Sequence, residues 1–197
     1  MKTRKVAGEI AGGRVARLAS VGASWHAATM SDGVEVRSAP AGGQGLFAAR
    51  PFAAGATIRR IGLVREVTAE RPLTAGETAD HVCRIDGRSW LVGAPDRYVN
   101  HACEPSAWKR FDPDGGPEAD MVALVDIPAG GEITYDYVLN THGGGRWACG
   151  CGAATCRGML EASWFDLSEA TRRRQRPLLA TWFVRRHAAR LAQEGMA

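Results

Sequence analysis

From residue 34 the chain alternates short apolar runs with turn residues, a pattern that predicts many brief β-strands rather than long helices. Val34-Glu35-Val36, Leu46-Phe47 and Ala56-Thr57-Ile58 are separated by Gly42-Gly43 and Gly55, as short strands joined by tight turns would be. Further strands are expected at 63–67, 82–85, 90–92 and 121–125, each bounded by Gly, Pro or Asp. Ile127-Pro128-Ala129-Gly130-Gly131 reads as a turn into another strand over 132–137, and residues 112–117 have the composition of a loop. The end of the chain changes period. Asp166 with Glu169 three positions on predicts a helix start, and Pro177 suits a restart or the first turn of a second helix. From Leu178 onward Leu179, Trp182, Phe183, Arg186 and Arg190 follow helical spacing, with Arg185, Arg186 and Arg190 opposite the apolar positions. The expected class is therefore mostly β (α+β), with one or two terminal helices.

Length and composition fit that picture. A chain of 197 residues, 45% apolar, suffices for one well-buried domain with short extensions. No run of eighteen apolar residues offers a membrane span, and no membrane partner is expected. The basic start, Met1 to Lys5, is followed by Glu9, Arg14 and Arg17, which interrupt the apolar core an export signal needs. Residues 1–30 are read as a flexible Ala/Gly/Arg-rich extension, with an organelle transit peptide as the lesser reading. The net charge of +4 is unevenly placed: +4 in residues 1–20, −3 in 21–160 and +3 in 161–197. An acidic body suits a basic partner such as a lysine-bearing protein, whereas the basic ends leave nucleic acid open without favouring it. The run Arg172-Arg173-Arg174 with Arg176 is read mainly as a solvated helix face.

Five cysteines stand at 83, 103, 149, 151 and 156. An odd count without an export signal argues against a disulfide framework and for metal binding or buried thiols. Cys149, Cys151 and Cys156 form C-x-C-x4-C, and Gly150 lets the chain bend so that both near thiolates face one ion. A tetrahedral zinc site needs a fourth ligand, which is Cys83, Cys103 or a water. Cys83 sits in a likely strand as a small core residue would, and Cys103, beside His101 and Glu104-Pro105, is the better ligand. A zinc ribbon is disfavoured, because ribbons use two close pairs and Cys103 lies 46 positions before Cys149.

Three separated stretches resemble the SET-domain protein lysine methyltransferase family. Gly43-Gln44-Gly45-Leu46-Phe47-Ala48 is similar to the family's Gly-x-Gly segment. Arg97-Tyr98-Val99-Asn100-His101-Ala102-Cys103-Glu104-Pro105-Ser106 is similar to its Arg-Phe-Ile-Asn-His-Ser-Cys-x-Pro-Asn motif. Gly131-Glu132-Ile133-Thr134-Tyr135-Asp136-Tyr137 is similar to Gly-Glu-Glu-Leu-Thr-Tyr-Asp-Tyr, and Cys149-Gly150-Cys151-Gly152 with Cys156-Arg157-Gly158 resembles a post-SET tail. The likeness spans about residues 34–160, and the motifs are restrictive in combination where a single Gly-x-Gly would not be.

The resemblance implies a SET-type fold of several short sheets with a knot-like threaded segment, a zinc-stapled tail and C-terminal helices. The expected organisation is a SET domain at 31–140, a post-SET tail at 141–160 and a helical extension at 161–197. It implies transfer of a methyl group from S-adenosyl-L-methionine to a lysine amine of a protein substrate, a basic histone-like or ribosomal protein being one candidate. Tyr137 takes the catalytic tyrosine position and Tyr135 the position that tunes product multiplicity, which suggests mono- or dimethylation; both hydroxyls are expected on one strand face. Gly43, Gly45, Leu46, Asn100, His101, Tyr137, Trp147 and Leu160 map to cofactor contacts. Cys103 completes one structural zinc with Cys149, Cys151 and Cys156, leaving Cys83 aside. The implied location is cytoplasmic, or nuclear or nucleoid if the substrate is chromatin-like. The alternative is a catalytically weak SET-fold module that docks on protein or nucleic acid. Four departures bear on substrate choice. Arg60 stands where the family often has Tyr in Tyr-x-Gly, Ala102 replaces Ser, Ser106 replaces the final Asn, and only about 28 residues lie between Gly62 and Trp90.

Overall fold

The computed structural model describes residues 33–40, 43–113 and 116–195. The expected extension over 1–30 lies outside them. The strands, in chain order, are β1 (Val34–Ser38), β2 (Gln44–Ala48), β3 (Thr57–Arg60), β4 (Leu63–Val67), β5 (Val82–Ile85), β6 (Arg88–Val92), β7 (Asn100–His101), β8 (Ala107–Phe111), β9 (Ala119–Ala123), β10 (Glu132–Tyr135), β11 (Trp147–Ala148) and β12 (Met159–Leu160). Among the described residues three short α-helices follow: α1 (Glu169–Gln175), α2 (Thr181–Arg186) and α3 (Ala188–Gln193).

The strands form four small sheets, in the orders β1-β2-β10-β7, β3-β9-β8, β4-β6-β5 and β11-β12. The first sheet matters most for the site. β1 and β2 are an antiparallel hairpin, β10 joins β2 antiparallel, and β7 runs parallel to β10, with Thr134 opposite Asn100 and Tyr135 opposite His101. Segments more than 80 residues apart in sequence, 44–48 and 132–135, are thereby held side by side. Four of the five residues of β2 are buried, so this strand reads as a continuous apolar run because both its faces are covered.

Two apolar clusters fill the interior. One gathers Leu46, Ile58, Val99, Met121, Ile133 and Tyr135 between the sheets. The other packs Val138, Leu160, Trp164, Phe165, Trp182 and Phe183 between the tail and the terminal helices. Leu63, Cys83 and Phe111 pack against both, so the two clusters make one body. The aromatic pairs of the second cluster meet mostly edge to face, as between Trp164 and Phe183 at 6.1 Å.

Several expectations from the pattern shift here. The strand expected at 121–125 is Ala119–Ala123, because the chain turns away at Leu124, whose N–H donates to the Ser106 carbonyl, and Val125 is exposed. The strand expected to reach Tyr137 ends at Tyr135. Asp166 does not cap a helix: it closes a 3-10 turn, Trp164–Asp166, and the cap of α1 is Ser168, whose hydroxyl accepts from the Thr171 N–H at 3.3 Å. Pro177 lies in a second 3-10 turn, Arg176–Leu178, not in an α-helical first turn. The helical period expected from Leu178 begins at Thr181 and breaks at His187, where φ is −116° and ψ is 21°. No described helix is long and apolar enough to cross a membrane.

Candidate functional site

The site is assembled where β10 and β7 run side by side. Asn100 on β7 donates through its amide nitrogen to the Gln44 carbonyl at 3.0 Å and to the Glu132 carboxylate at 2.8 Å. One side chain thus ties the glycine segment of β2 to β10. Gly45 makes this approach feasible: a Cβ there would lie 2.7 Å from Glu132 Oε1 and 3.0 Å from Asn100 Nδ2. The neighbouring Gly43 adopts φ 75°, a conformation that favours glycine. Leu46 is fully buried in the core, so it faces the interior and not the groove.

Ser106, the residue in place of the family's final Asn, is hydrogen-bonded to β10. Its hydroxyl donates to the Glu132 carbonyl at 2.9 Å and accepts from the Thr134 N–H at 3.0 Å, while its own N–H donates to Thr134 Oγ1 at 3.1 Å. Ala102, in place of Ser, is buried, and its N–H donates to the Tyr135 carbonyl.

The two tyrosines occupy different settings, because β10 ends between them. Tyr135 is 6% exposed, and its hydroxyl is buried without a hydrogen-bond partner among the described residues. Burial pushes its phenol well above the ordinary value, and the neighbouring Asp96 adds to this. The Lys109 ammonium stands 5.0 Å from the centroid of its ring. Tyr137 turns its hydroxyl inward to donate to the Val99 carbonyl at 2.6 Å, while 44% of the residue remains open to the groove. Burial of that end, with the Glu132 charge, raises its phenol to about 12. The Tyr137 N–H donates to His101 Nδ1 at 3.1 Å, which leaves the neutral ring's proton on Nε2, 3.4 Å from Cys103 Sγ. Burial holds the His101 pKa below its usual value, so the neutral ring prevails at neutral pH.

The cysteines converge as a cluster. Cys103 Sγ is 3.8 Å from Cys149 Sγ, Cys156 Sγ is 3.7 Å from Cys149 Sγ, and the Cys103 N–H donates to Cys151 Sγ at 3.4 Å. His101, Cys103, Cys149 and Cys151 place one donor atom each within 4.8 Å of one another. A tetrahedral zinc with bonds of about 2.3 Å requires sulfurs about 3.8 Å apart, which the two sulfur pairs match. In the free thiols, burial raises Cys103 and Cys149, whereas for Cys151 the N–H groups of Cys103 and Ala153 and the adjacent thiols outweigh burial and bring it to about 7. Cys83 lies on β5 opposite Trp90 and stands apart from the cluster.

Asp136, between the two tyrosines, is 6% exposed and fully engaged. Its carboxylate receives a bidentate pair from Arg157 at 2.7 and 2.8 Å, the Gln175 amide at 2.6 Å and the Val138 N–H at 3.1 Å. Trp147 and Leu160 face each other in register across β11 and β12, but Leu160 is buried in the second apolar cluster while Trp147 is 50% exposed. Arg60 is exposed; it is Arg59 that turns inward, its Nε 2.9 Å from the buried Asp96, which also accepts from the Gly62 N–H at 2.8 Å. Burial raises the Asp96 carboxyl, against the opposing pull of the Gly62 N–H and Arg59. The C-terminal arginines are largely occupied locally: Arg172 with Glu194, Arg173 with Glu169 and Arg186 with Asp86.

Asn100, His101, Cys103, Tyr135, Tyr137, Cys149 and Cys151 all line one groove, and Cys156 lies against Cys149. Asp136, Glu132, Lys109, Arg157 and Gln175 were not singled out. Asp136 and Arg157 lay inside the quoted motifs and their opposite charges were a usable signal; Gln175, on a helix 39 positions from Asp136, gave none.

Residues 43–138 match the family model for the SET domain, and the chain carries a SET domain over this stretch. Among curated proteins, it is 35% identical over 131 residues to a Kluyveromyces lactis histone-lysine N-methyltransferase described as H3 lysine-4 specific, covering 59% of this chain and 13% of that one. It is 41% identical over 69 residues to the mouse histone-lysine N-methyltransferase NSD3, covering 34% of this chain and 5% of that one. A human histone-lysine N-methyltransferase, H3 lysine-36 specific, is 38% identical over 65 residues, covering 32% and 2%. The chain thus spans 13% or less of the length of these relatives.

Substituting Gly45→Ala should push its Cβ into the Asn100–Glu132 contact and destabilise the protein by about 1–3 kcal/mol, measured as a shift in the urea midpoint at constant slope.

Proposed function

We propose that this protein methylates a lysine side-chain amine of a protein substrate, using S-adenosyl-L-methionine, with one structural zinc held by Cys103, Cys149, Cys151 and Cys156. The observation that carries this reading is the convergence of Tyr135, Tyr137, Asn100 and His101 beside the cysteine cluster, within a SET domain. A histone or another basic protein is the substrate class that the relatives' names suggest, and a nuclear or nucleoid location follows if the substrate is chromatin.

The residues fit the cofactor in kind. One groove is lined by Gly43, Gln44, Asn100, His101, Tyr137 and the exposed Trp147, offering polar backbone and amide groups together with an aromatic face. When bound, S-adenosyl-L-methionine supplies a methyl group activated on sulfonium sulfur. The work left to the chain is alignment and delivery of an unprotonated amine. Free lysine titrates near 10.4, and a narrow, largely apolar channel lowers that value by desolvating the ammonium. Tyr137 remains a phenol at neutral pH, since its pKa is about 12, so it orients the amine rather than acting as a base. The hydroxyl of Tyr135, without a hydrogen-bond partner among the described residues, is the group we assign to hold the amine and limit the room for further methyl groups. In this reading Gly43, Gly45 and Asn100 shape the cofactor's amino-acid end, Leu46 contributes backbone only, and Trp147 covers the adenine, with Leu160 supporting it from the core. The SET domain at 31–140, the tail at 141–160 and the extension at 161–197 remain the organisation we propose.

For the zinc we favour Cys156 over His101 as fourth ligand, because both ring nitrogens of His101 already face partners, the Tyr137 N–H and Cys103 Sγ. Zinc then cross-links the tail to the β7 motif, supplying folding energy and not chemistry. Metal analysis should find one zinc per chain, lost in Cys156→Ser and retained in His101→Gln; loss in the second and retention in the first would make His101 the ligand.

The activity test uses labelled cofactor and core histones or a host lysate. Tyr137→Phe should lower turnover by about 10²–10³-fold with folding intact by circular dichroism, and equal labelling by both proteins would refute its role. Mass spectrometry should show mono- and dimethylated product from the wild type and a shift to higher methylation in Tyr135→Phe, whereas trimethyl product from both would end that assignment.

A further inference from the structure

Resting on the reading above, we infer that the C-terminal helix α1 belongs to the catalytic unit, with Gln175 as a positioning residue for the tail and the tyrosine pair. Gln175 is 4% exposed, and both ends of its amide are used. Its Nε2 donates to Asp136 Oδ2 at 2.6 Å and its Oε1 accepts from the Trp164 indole at 3.1 Å. The amide is therefore fixed in one orientation, because only the oxygen can accept the indole N–H and only the nitrogen can donate to the carboxylate.

A contiguous line of contacts leads from this amide to the site. Asp136 holds the Arg157 guanidinium through two bonds, and the Arg157 N–H donates to Cys103 Sγ at 3.4 Å. On its other side Asp136 is chained between Tyr135 and Tyr137, and its Oδ1 accepts from the Val138 N–H at 3.1 Å, just past Tyr137. The members of this line are buried or half-buried, so removing one leaves its partners without water to replace it. A helix 39 positions downstream thereby fixes the carboxylate on which both the tail and the Tyr137 backbone lean. The indole that orients Gln175 is itself packed edge to face by Phe165 and Phe183, with centroids at 5.4 and 6.1 Å.

The test compares the full chain with Gln175→Leu, which keeps the size of the side chain and removes both hydrogen bonds, and with Leu191→Ala, which loosens the terminal helices without touching the line. Amide hydrogen exchange over residues 147–160 is read beside steady-state kinetics. Gln175→Leu should accelerate exchange in that segment by about tenfold and lower kcat by a similar factor with KM for core histones unchanged. Leu191→Ala should lower the melting temperature while leaving exchange at 147–160 and kcat near wild type below the transition. Tail exchange in Gln175→Leu equal to wild type, in a folded protein, would overturn the inference. The same holds if Leu191→Ala loosens the tail as much, because Gln175 would then act only through general stability. If the wild type transfers no methyl group, the exchange data still decide the role of Gln175, so the two readings fail separately.

Discussion

A carboxylate buried away from water is tolerated only when every lone pair has a donor, and the architecture around Asp136 meets that condition from three directions. Arg157 comes from the cysteine tail, Gln175 from the first terminal helix, and Val138 from the chain just after the tyrosine pair. Removing the charge would leave the guanidinium stranded, and removing Arg157 would leave the charge stranded. The core sheets, the tail and the terminal helices are therefore mutually dependent, although each has its own apolar contacts.

The cysteine cluster works on the same joint by different chemistry. Cys103 is delivered by the segment after β7, and the other three thiols by a tail with little regular structure beyond the two-residue strands β11 and β12. The Arg157–Asp136 ion pair and the packing of Leu160 hold this tail to the core, and the thiol cluster is suited to add a metal cross-link there. Thr155, bonded to Glu104 at 2.7 Å, adds a third point of attachment on the same side.

How far the sequence was readable depends on how local each determinant is. Strands such as Leu63–Val67 and Val82–Ile85 carry β-branched residues between turn signals and emerged with the expected bounds. β8 went unseen because Trp-Lys-Arg in its middle is an edge-strand composition without apolar alternation, and β7 because a two-residue strand exists only through its partner. The helix starts were misplaced by a few residues since Ser163 and Ser168 both offer caps, and Asp166 lies between them. The motif residues of the site were legible because they recur in a known combination. Which of their side chains serve one another, as Asn100 serves Glu132 and Gln44, depends on packing that no spacing rule encodes.

The chain has 25 basic residues, yet lysine occurs only at positions 2, 5 and 109. The last of these rests its ammonium on the face of Tyr135, close enough to buried Asp96 to draw that carboxyl toward its charged form. A second cation brought to the same ring would meet like charge in a space poor in water, whereas an amine without its proton would not. At the amine site proposed for this ring, its surroundings would favour a neutral amine over an ammonium before any shape is compared.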